Sequence, residues 1–273
     1  RGYGGADTSG DALEPVSMSA DASRIAFGSA AGNLFVGDAH AQPDVFVADA
    51  ESLSAPPERI SVGDGSAQIE GPSRALSPSS ISADGRYVAF AVDTPVSIDG
   101  SDAGTLEDVF VRDRVADTTE LISKSTAGVA GSSSSASPAI SPSGRYVVFF
   151  SFSTNLTPGP SGSRIYLRDR QENATFNMPL PDGASSCEDP RVSDLAQIVA
   201  QCNMNSGFAQ AFLYDPSGEG AFYQLSTSLT AGNGNGTSGN FTGISAYGTI
   251  TVFDSAATDL VAGDTNAKSD IFA

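Results

Sequence analysis

An all-β fold, a five-bladed propeller of four-stranded antiparallel sheets, is predicted by three observations. One hairpin pattern occurs five times along the 273 residues. Each copy is followed by a second strand that keeps an aromatic residue at one place. Gly, Ser, Asp, Asn and Pro fill the connections, with no helical periodicity between them.

The clearest hairpin is Ile81-Ser82-Ala83-Asp84-Gly85-Arg86-Tyr87-Val88-Ala89-Phe90. Asp84-Gly85 supplies the turn, because glycine takes a positive φ cheaply, and Tyr87 to Phe90 reads as an aromatic and β-branched strand. The pattern returns at 18–27, 140–149, 192–201 and 244–253, with Phe27, Phe90, Phe149, Gln201 and Phe253 as anchors. Spacings of roughly 52 to 63 residues suit a propeller. The companion strands begin at Asp44, Asp108, Arg164, Gln210 and Asp270, as in Asp44-Val45-Phe46-Val47. A further strand follows at Glu58, Glu120, Thr175 and Tyr223. Each unit thus holds strands A to D, in blades spanning about 13–62, 76–123, 137–178, 189–226 and 241–273 of a single domain. Radial repetition of such units leaves only short sheet edges. The fifth unit ends within strand C, so its blade is expected to be three-stranded. The Asp270 strand would then be an open edge, covered by a neighbouring subunit or by further chain.

At these residues the chain resembles the TolB-like (PD40, WD40-like) propeller repeat, whose mark is a Ser-Pro-Asp-Gly-like turn before a Val-Ala-Phe strand. The matching stretches are Ser82 to Phe90, Ser141 to Phe149 and the companion Asp108-Val109-Phe110-Val111-Arg112-Asp113. The departures are Leu195-Ala196 and Gln201 in the fourth unit, and five blades where TolB has six. The resemblance implies the fold; such repeats occur in periplasmic scaffolds, beside peptidase domains and in secreted proteins.

Composition narrows the partners. The net charge of −18 repels phosphate backbones and anionic lipid surfaces, which argues against nucleic acid. No apolar run approaches the roughly 20 residues of a bilayer span, and no leader of basic then apolar residues precedes Gly2, so the chain reads as soluble. Cys187 and Cys202 bracket the fourth hairpin at nearly equal distances from its turn, which places them opposite each other. The spacing suits a disulfide and hence an oxidising compartment, with the protein secreted, periplasmic or at the cell surface. Two unpaired buried thiols are the alternative.

The A-B and C-D turns share one face of the disc and are short. The B-C and D-A connections share the other, and they are long and rich in Gly and Ser, so this loop face is the expected binding face. Within its B-C loops, Asp264, Asn266 and Asp270 place oxygen at positions one, three and seven. Asp38, His40 and Asp44 repeat that spacing, as do Asp102, Gly104 and Asp108 more weakly. Such oxygen ligands suit calcium, whereas Asp and Asn capping their own loops is the structural alternative. No catalytic residue stands out. His40 is the only histidine, so a Ser-His-Asp triad lacks a base unless this residue serves. Glycoside hydrolysis would need carboxylates in the central channel, and only Glu14, Glu188 and Asp189 stand near its mouth. Asn155, Asn173, Asn235 and Asn240 begin Asn-x-Thr sequons. The expected function is a noncatalytic module that binds a protein partner or joins a larger assembly; the alternative is a carbohydrate-active propeller, lectin or hydrolase.

Overall fold

In the computed structural model the described residues are 10, 12–34, 42–52, 55–64, 72–74, 80–93, 106–159, 163–205, 207–266 and 268–273. They form five small antiparallel sheets and no helix, arranged as a five-bladed β-propeller. Blade one holds β1 Ala12–Met18, β2 Arg24–Ser29, β3 Asp44–Asp49 and β4 Glu58–Arg59. Blade two holds β5 Ser73–Arg74, β6 Tyr87–Val92, β7 Asp108–Asp113 and β8 Thr118–Leu121. Blade three holds β9 Ser135–Ile140, β10 Tyr146–Ser151, β11 Arg164–Asp169 and β12 Ala174–Asn177. Blade four holds β13 Ala184–Val192, β14 Ile198–Met204, β15 Gln210–Asp215 and β16 Ala221–Gln224. Blade five has three strands, β17 Ser238–Ile244, β18 Thr251–Ser255 and β19 Asp270–Phe272. Several inner strands begin a few residues before the bounds the repeat suggested.

The A-B turn is built alike in the blades. In blade two, Tyr87 donates its N–H to Ser82 Oγ, while Ser82 Oγ–H and the Arg86 N–H both reach Asp84 Oδ1. The left-handed residue of this turn is Gly85, Gly144 or Gly248, but alanine occupies it in blades one and four, as Ala22 and Ala196. The turns also bond one another around the channel mouth. Ala20 donates to Ala83 and Ala83 to Pro142; Ser143 N–H reaches Asp194 Oδ1, and Asp194 N–H reaches Ala246. Arginine after the turn ties strand B to strand C, as Arg86 to Asp113 at 2.7 Å and Arg145 to Asp169 at 2.7 Å.

Blades pack face to tail. One face of blades one, two, three and five carries a stacked aromatic pair, Phe27/Phe46, Phe90/Phe110, Phe149/Tyr166 and Phe253/Phe272, with centroids 5.4 to 6.0 Å apart. The other face carries smaller aliphatic residues. Ala26, Val45 and Ile60 of blade one meet Phe90 and Phe110 of blade two, and Ala89, Val109 and Ile122 of blade two meet Phe149 and Tyr166 of blade three. Each interface hides two apolar faces from water.

Blade four corrects the sequence alignment. Its turn is one residue shorter, since Ser193 N–H bonds Gln197 whereas Ser82 N–H bonds Tyr87, five residues on. The register of β14 therefore slips by one, so Ala200 and not Gln201 stands opposite Phe212. A one-residue slip exchanges the two faces of a strand. Ala200 and Phe212 accordingly pack on Val148 and Ile165 of blade three. Gln201 turns to blade five, where its Nε2 donates to Ser238 O.

Candidate functional site: the loop face

Two D-A connections are folded hairpins. Residues 125–129, Ser-Thr-Ala-Gly-Val, close with Gly128 N–H on Ser125 O and Ser125 N–H on Val129 O. Residues 228–232, Ser-Leu-Thr-Ala-Gly, repeat the fold with Ser228 N–H on Gly232 O. Each hairpin is pinned to the B-C loop of the following blade by one asparagine. Asn155 accepts from Ser132 N–H and donates to Ala130 O, both at 2.8 Å. Asn235 accepts from Thr258 N–H at 2.8 Å, and its own N–H reaches Asp259 Oδ1 at 3.0 Å. The hairpins leave Val129 and Leu229 exposed. Beside the first lies a cavity of about 560 Å³ bounded by Thr126, Val129, Asn155, Leu156 and Pro158. Exposed Phe152, Phe208 and Phe241 add apolar surface at the loop and strand ends.

The acidic residues proposed as cation ligands have separate fates. Asp38, His40, Asp102 and Gly104 lie outside the described residues. Asp44 and Asp108 are buried at the start of strand C, where Ser61 Oγ–H reaches Asp44 Oδ1 at 2.5 Å and Ser123 Oγ–H reaches Asp108 Oδ1 at 2.6 Å. Asp44 also lies 3.7 Å from Arg59. Asp264, Asn266 and Asp270 do converge. Asn266 Nδ2 lies 3.3 Å from Asp270, its Oδ1 accepts from Lys268 N–H at 2.7 Å, and its own N–H faces Asp264 Oδ1 at 3.4 Å. These are the bonds of a self-capped loop. Among the described residues no group of three or more His, Cys, Asp or Glu side chains is placed to hold a metal ion.

The channel end bordered by the A-B turns encloses about 270 Å³ lined by Met18, Ile81, Ile140, Val192, Ile244 and small neighbours, with no carboxylate among the described residues of its wall. Glu188 and Asp189 are consecutive on β13 and do not face each other from two blades. Asn203 Nδ2 donates to Glu188 at 2.7 Å, and burial pushes the Asp189 carboxyl above the usual range against the pull of Arg191. The Glu14 side chain lies outside the described ones. Buried cations are used structurally: Arg112 and Arg168, their pKa lowered by burial, donate to Thr119 and Thr175, whose hydroxyls bond backbone oxygens of the preceding blade.

Cys187 and Cys202 face each other across β13 and β14 with Cα atoms 4.0 Å apart, joined as a disulfide. The sequon asparagines serve internal bonds, Asn173 with Arg168 and Asn240 with Asp254 besides the two loop pins. One repeated feature escaped the sequence reading. In blades one, two and four a serine at the end of strand D locks onto strand C. Ser61, Ser123 and Ser226 accept from the N–H of Val45, Val109 and Ala211 at 3.0 to 3.1 Å. Each donates in turn to Asp44, Asp108 or Gln210. The signal was an Ile/Leu-Ser pair 15 to 17 residues after the first residue of strand C.

No protein-family model matches the chain, and no curated protein matches it in sequence. Its fold is that of a TolB-like β-propeller. The structure of TolB from Acinetobacter baumannii superposes with a TM-score of 0.54 at 15% identity, over 92% of this chain and 52% of that one. A structure of prolyl endopeptidases matches at 0.53 and 11% identity, over 93% of this chain and 33% of that one. An oligogalacturonate lyase in complex with manganese matches at 0.53 and 12% identity, over 97% and 65%. The chain thus spans about half of the TolB structure, and at these identities the likeness is one of fold. Both enzymes and TolB share it, and among the described residues no helix is long and apolar enough to cross a membrane.

Proposed function

We propose that the chain is a noncatalytic, secreted propeller that binds a protein partner through its loop face. The observation that carries this reading is the pair of pinned hairpins. Loops tied down by Asn155 and Asn235 present exposed Val129 and Leu229 on a rigid support, so little conformational entropy is lost on docking. The apolar side chains and adjoining cavity suit a protein surface better than a polar ligand. The channel end at the A-B turns, whose described lining carries no carboxylate, supports the noncatalytic reading. The disulfide, which persists in oxidising compartments, supports export.

Capture of partners by the full chain, compared with a Val129→Asp, Leu229→Asp variant of unchanged melting temperature, tests the reading. Loss of the captured proteins in the variant is expected. A glycan array bound by both proteins, with no protein captured, would overturn it in favour of the carbohydrate-active alternative.

A further inference from the structure

The junction of blades three and four carries a groove that the two preceding junctions close with an ion pair. In blades one and two the strand D residue opposite Val47 or Val111 is a glutamate, Glu58 or Glu120. The residue after strand C of the next blade is an arginine, which reaches back to that glutamate. Arg114 lies 2.6 Å from Glu58 and Arg170 3.0 Å from Glu120, and each also donates to a turn carbonyl, of Gly85 or Gly144. Arg170 further lies over the Tyr87 ring, 4.4 Å from its centroid, so that Tyr87 carries two guanidinium groups with Arg86 at 4.8 Å. Between blades three and four both members of the pair are replaced. Phe176 stands opposite Leu167 at the glutamate position, and Pro216 follows strand C at the arginine position. Tyr146 keeps the first guanidinium, Arg145 at 4.8 Å, and among the described residues no second one lies over it. A groove of about 370 Å³ results, bounded by Tyr146, Phe176, Tyr214, Pro216 and the turn at Ala196. Phe176 is 53% exposed although the following blade is in place beside it. Three carboxylates, Asp169, Glu172 and Asp194, act on Tyr146 against the single positive charge of Arg145.

We propose that this groove takes an arginine side chain from a basic segment of a protein partner. The guanidinium occupies over Tyr146 the place that Arg170 occupies over Tyr87, and it donates to Ala196 O as Arg170 donates to Gly144 O. Its methylene stem lies against Phe176 and Pro216. Arginine suits the site better than lysine, because a planar, weakly hydrated guanidinium stacks on an aromatic face while it donates in its own plane. The surplus of carboxylates around Tyr146 and the net charge of −18 draw a cationic segment to it. An apolar side chain would gain the aromatic walls alone. The groove opens beside the A-B and C-D turns, on the face opposite the pinned hairpins, so this site is separate from the loop-face reading and does not rest on it.

The test titrates the full chain with the capped peptide Gly-Gly-Arg-Gly-Gly and its lysine and leucine counterparts, read by NMR at the Tyr146 ring and the Ala196 amide. The arginine peptide should give saturable shifts at both, the leucine peptide none. Tyr146→Leu should weaken arginine binding about fivefold. Phe176→Glu supplies the carboxylate that Glu120 gives Arg170, and should strengthen it. Phe176→Glu combined with Pro216→Arg rebuilds the pair within the chain, and should abolish binding without lowering the melting temperature. Equal binding of the leucine and arginine peptides, no shift at Tyr146 and Ala196 with the arginine peptide in large excess, or undiminished binding by the rebuilt variant would each overturn the proposal. The Val129→Asp, Leu229→Asp variant should bind the arginine peptide as well as the parent does, so failure of the loop-face reading and failure of this groove give different results; loss of peptide binding in that variant would also overturn the proposal.

Discussion

Replacing Ser123 by alanine removes two buried hydrogen bonds at once and leaves the fold otherwise untouched in volume. Ser123 is fully buried, its Oγ–H donates to the Asp108 carboxylate at 2.6 Å and its oxygen accepts the Val109 N–H at 3.0 Å. A bond to a charged group contributes about 1.5–3 kcal/mol and a neutral one about 1 kcal/mol, so Ser123→Ala should cost about 3 kcal/mol. For a domain of this size that is a fall of roughly 6–12 °C in melting temperature. In blade four the serine partner is the neutral Gln210, at 2.7 Å, so Ser226→Ala should cost about 2 kcal/mol. Asp108→Asn keeps an acceptor oxygen and should cost less than Ser123→Ala. Urea and thermal unfolding followed by circular dichroism, with a double-mutant cycle of Asp108→Ala and Ser123→Ala, measure these quantities. A loss within about 0.5 kcal/mol for both serines, or no coupling in the cycle, would refute the view that this lock holds strand D to strand C.

Four further outcomes are expected. Reducing the Cys187–Cys202 bridge, which closes a loop with sequence separation 15, should lower stability by about 3 kcal/mol in the chain-entropy model, seen as a lower urea midpoint with reductant. Asp113 is held at about 2, chiefly by Arg86, so a depressed carboxylate stabilises the fold above its unfolded value of 3.8 and that stabilisation is lost as pH falls toward 2. The stability difference between the protein and Arg86→Gln should therefore be present at about pH 6 and vanish by about pH 2, as acid titration of the unfolding midpoint would register. Ala22→Gly should stabilise by about 0.5–1 kcal/mol, because alanine there holds φ at 59°, and no change in midpoint would contradict the strain. Gly144→Ala should cost about 2–3 kcal/mol, since a Cβ would sit 2.3 Å from the Tyr87 ring of the neighbouring blade at a φ of 77°; a neutral substitution would show that ring free to move.

What could be read in the sequence was local, and what could not depended on a neighbour. The Asp84-Gly85 turn and the aromatic strand after it are chosen by residues within reach of one another, so the hairpins and their fivefold recurrence were legible. The pairing of Cys187 with Cys202 followed from the same hairpin arithmetic, since the two thiols stand opposite each other across β13 and β14 despite the bulge between Glu188 and Arg191. The anchor itself was misread: aligning Gln201 with Phe90 counts residues along the chain, whereas packing counts them from the last bond of the turn, and the shorter turn at Ala196 moves Ala200 into place. The oxygen spacing before Asp44 and Asp108 has a structural side that only the neighbouring strand shows. It is a pattern of sequence position, but the last member of each set already belongs to a strand whose partner is a serine on the next one. That same displacement bears on the binding face. A reading that sees Asp270 only as the end of an oxygen-rich loop looks for a cation, and one that sees it as the first residue of strand C looks for a serine. In the structure Asn266 Nδ2 lies 3.3 Å from Asp270 while Asp254 pairs with Ile271, so Asp270 is tied both to its own loop and to the strand that pairs with β18.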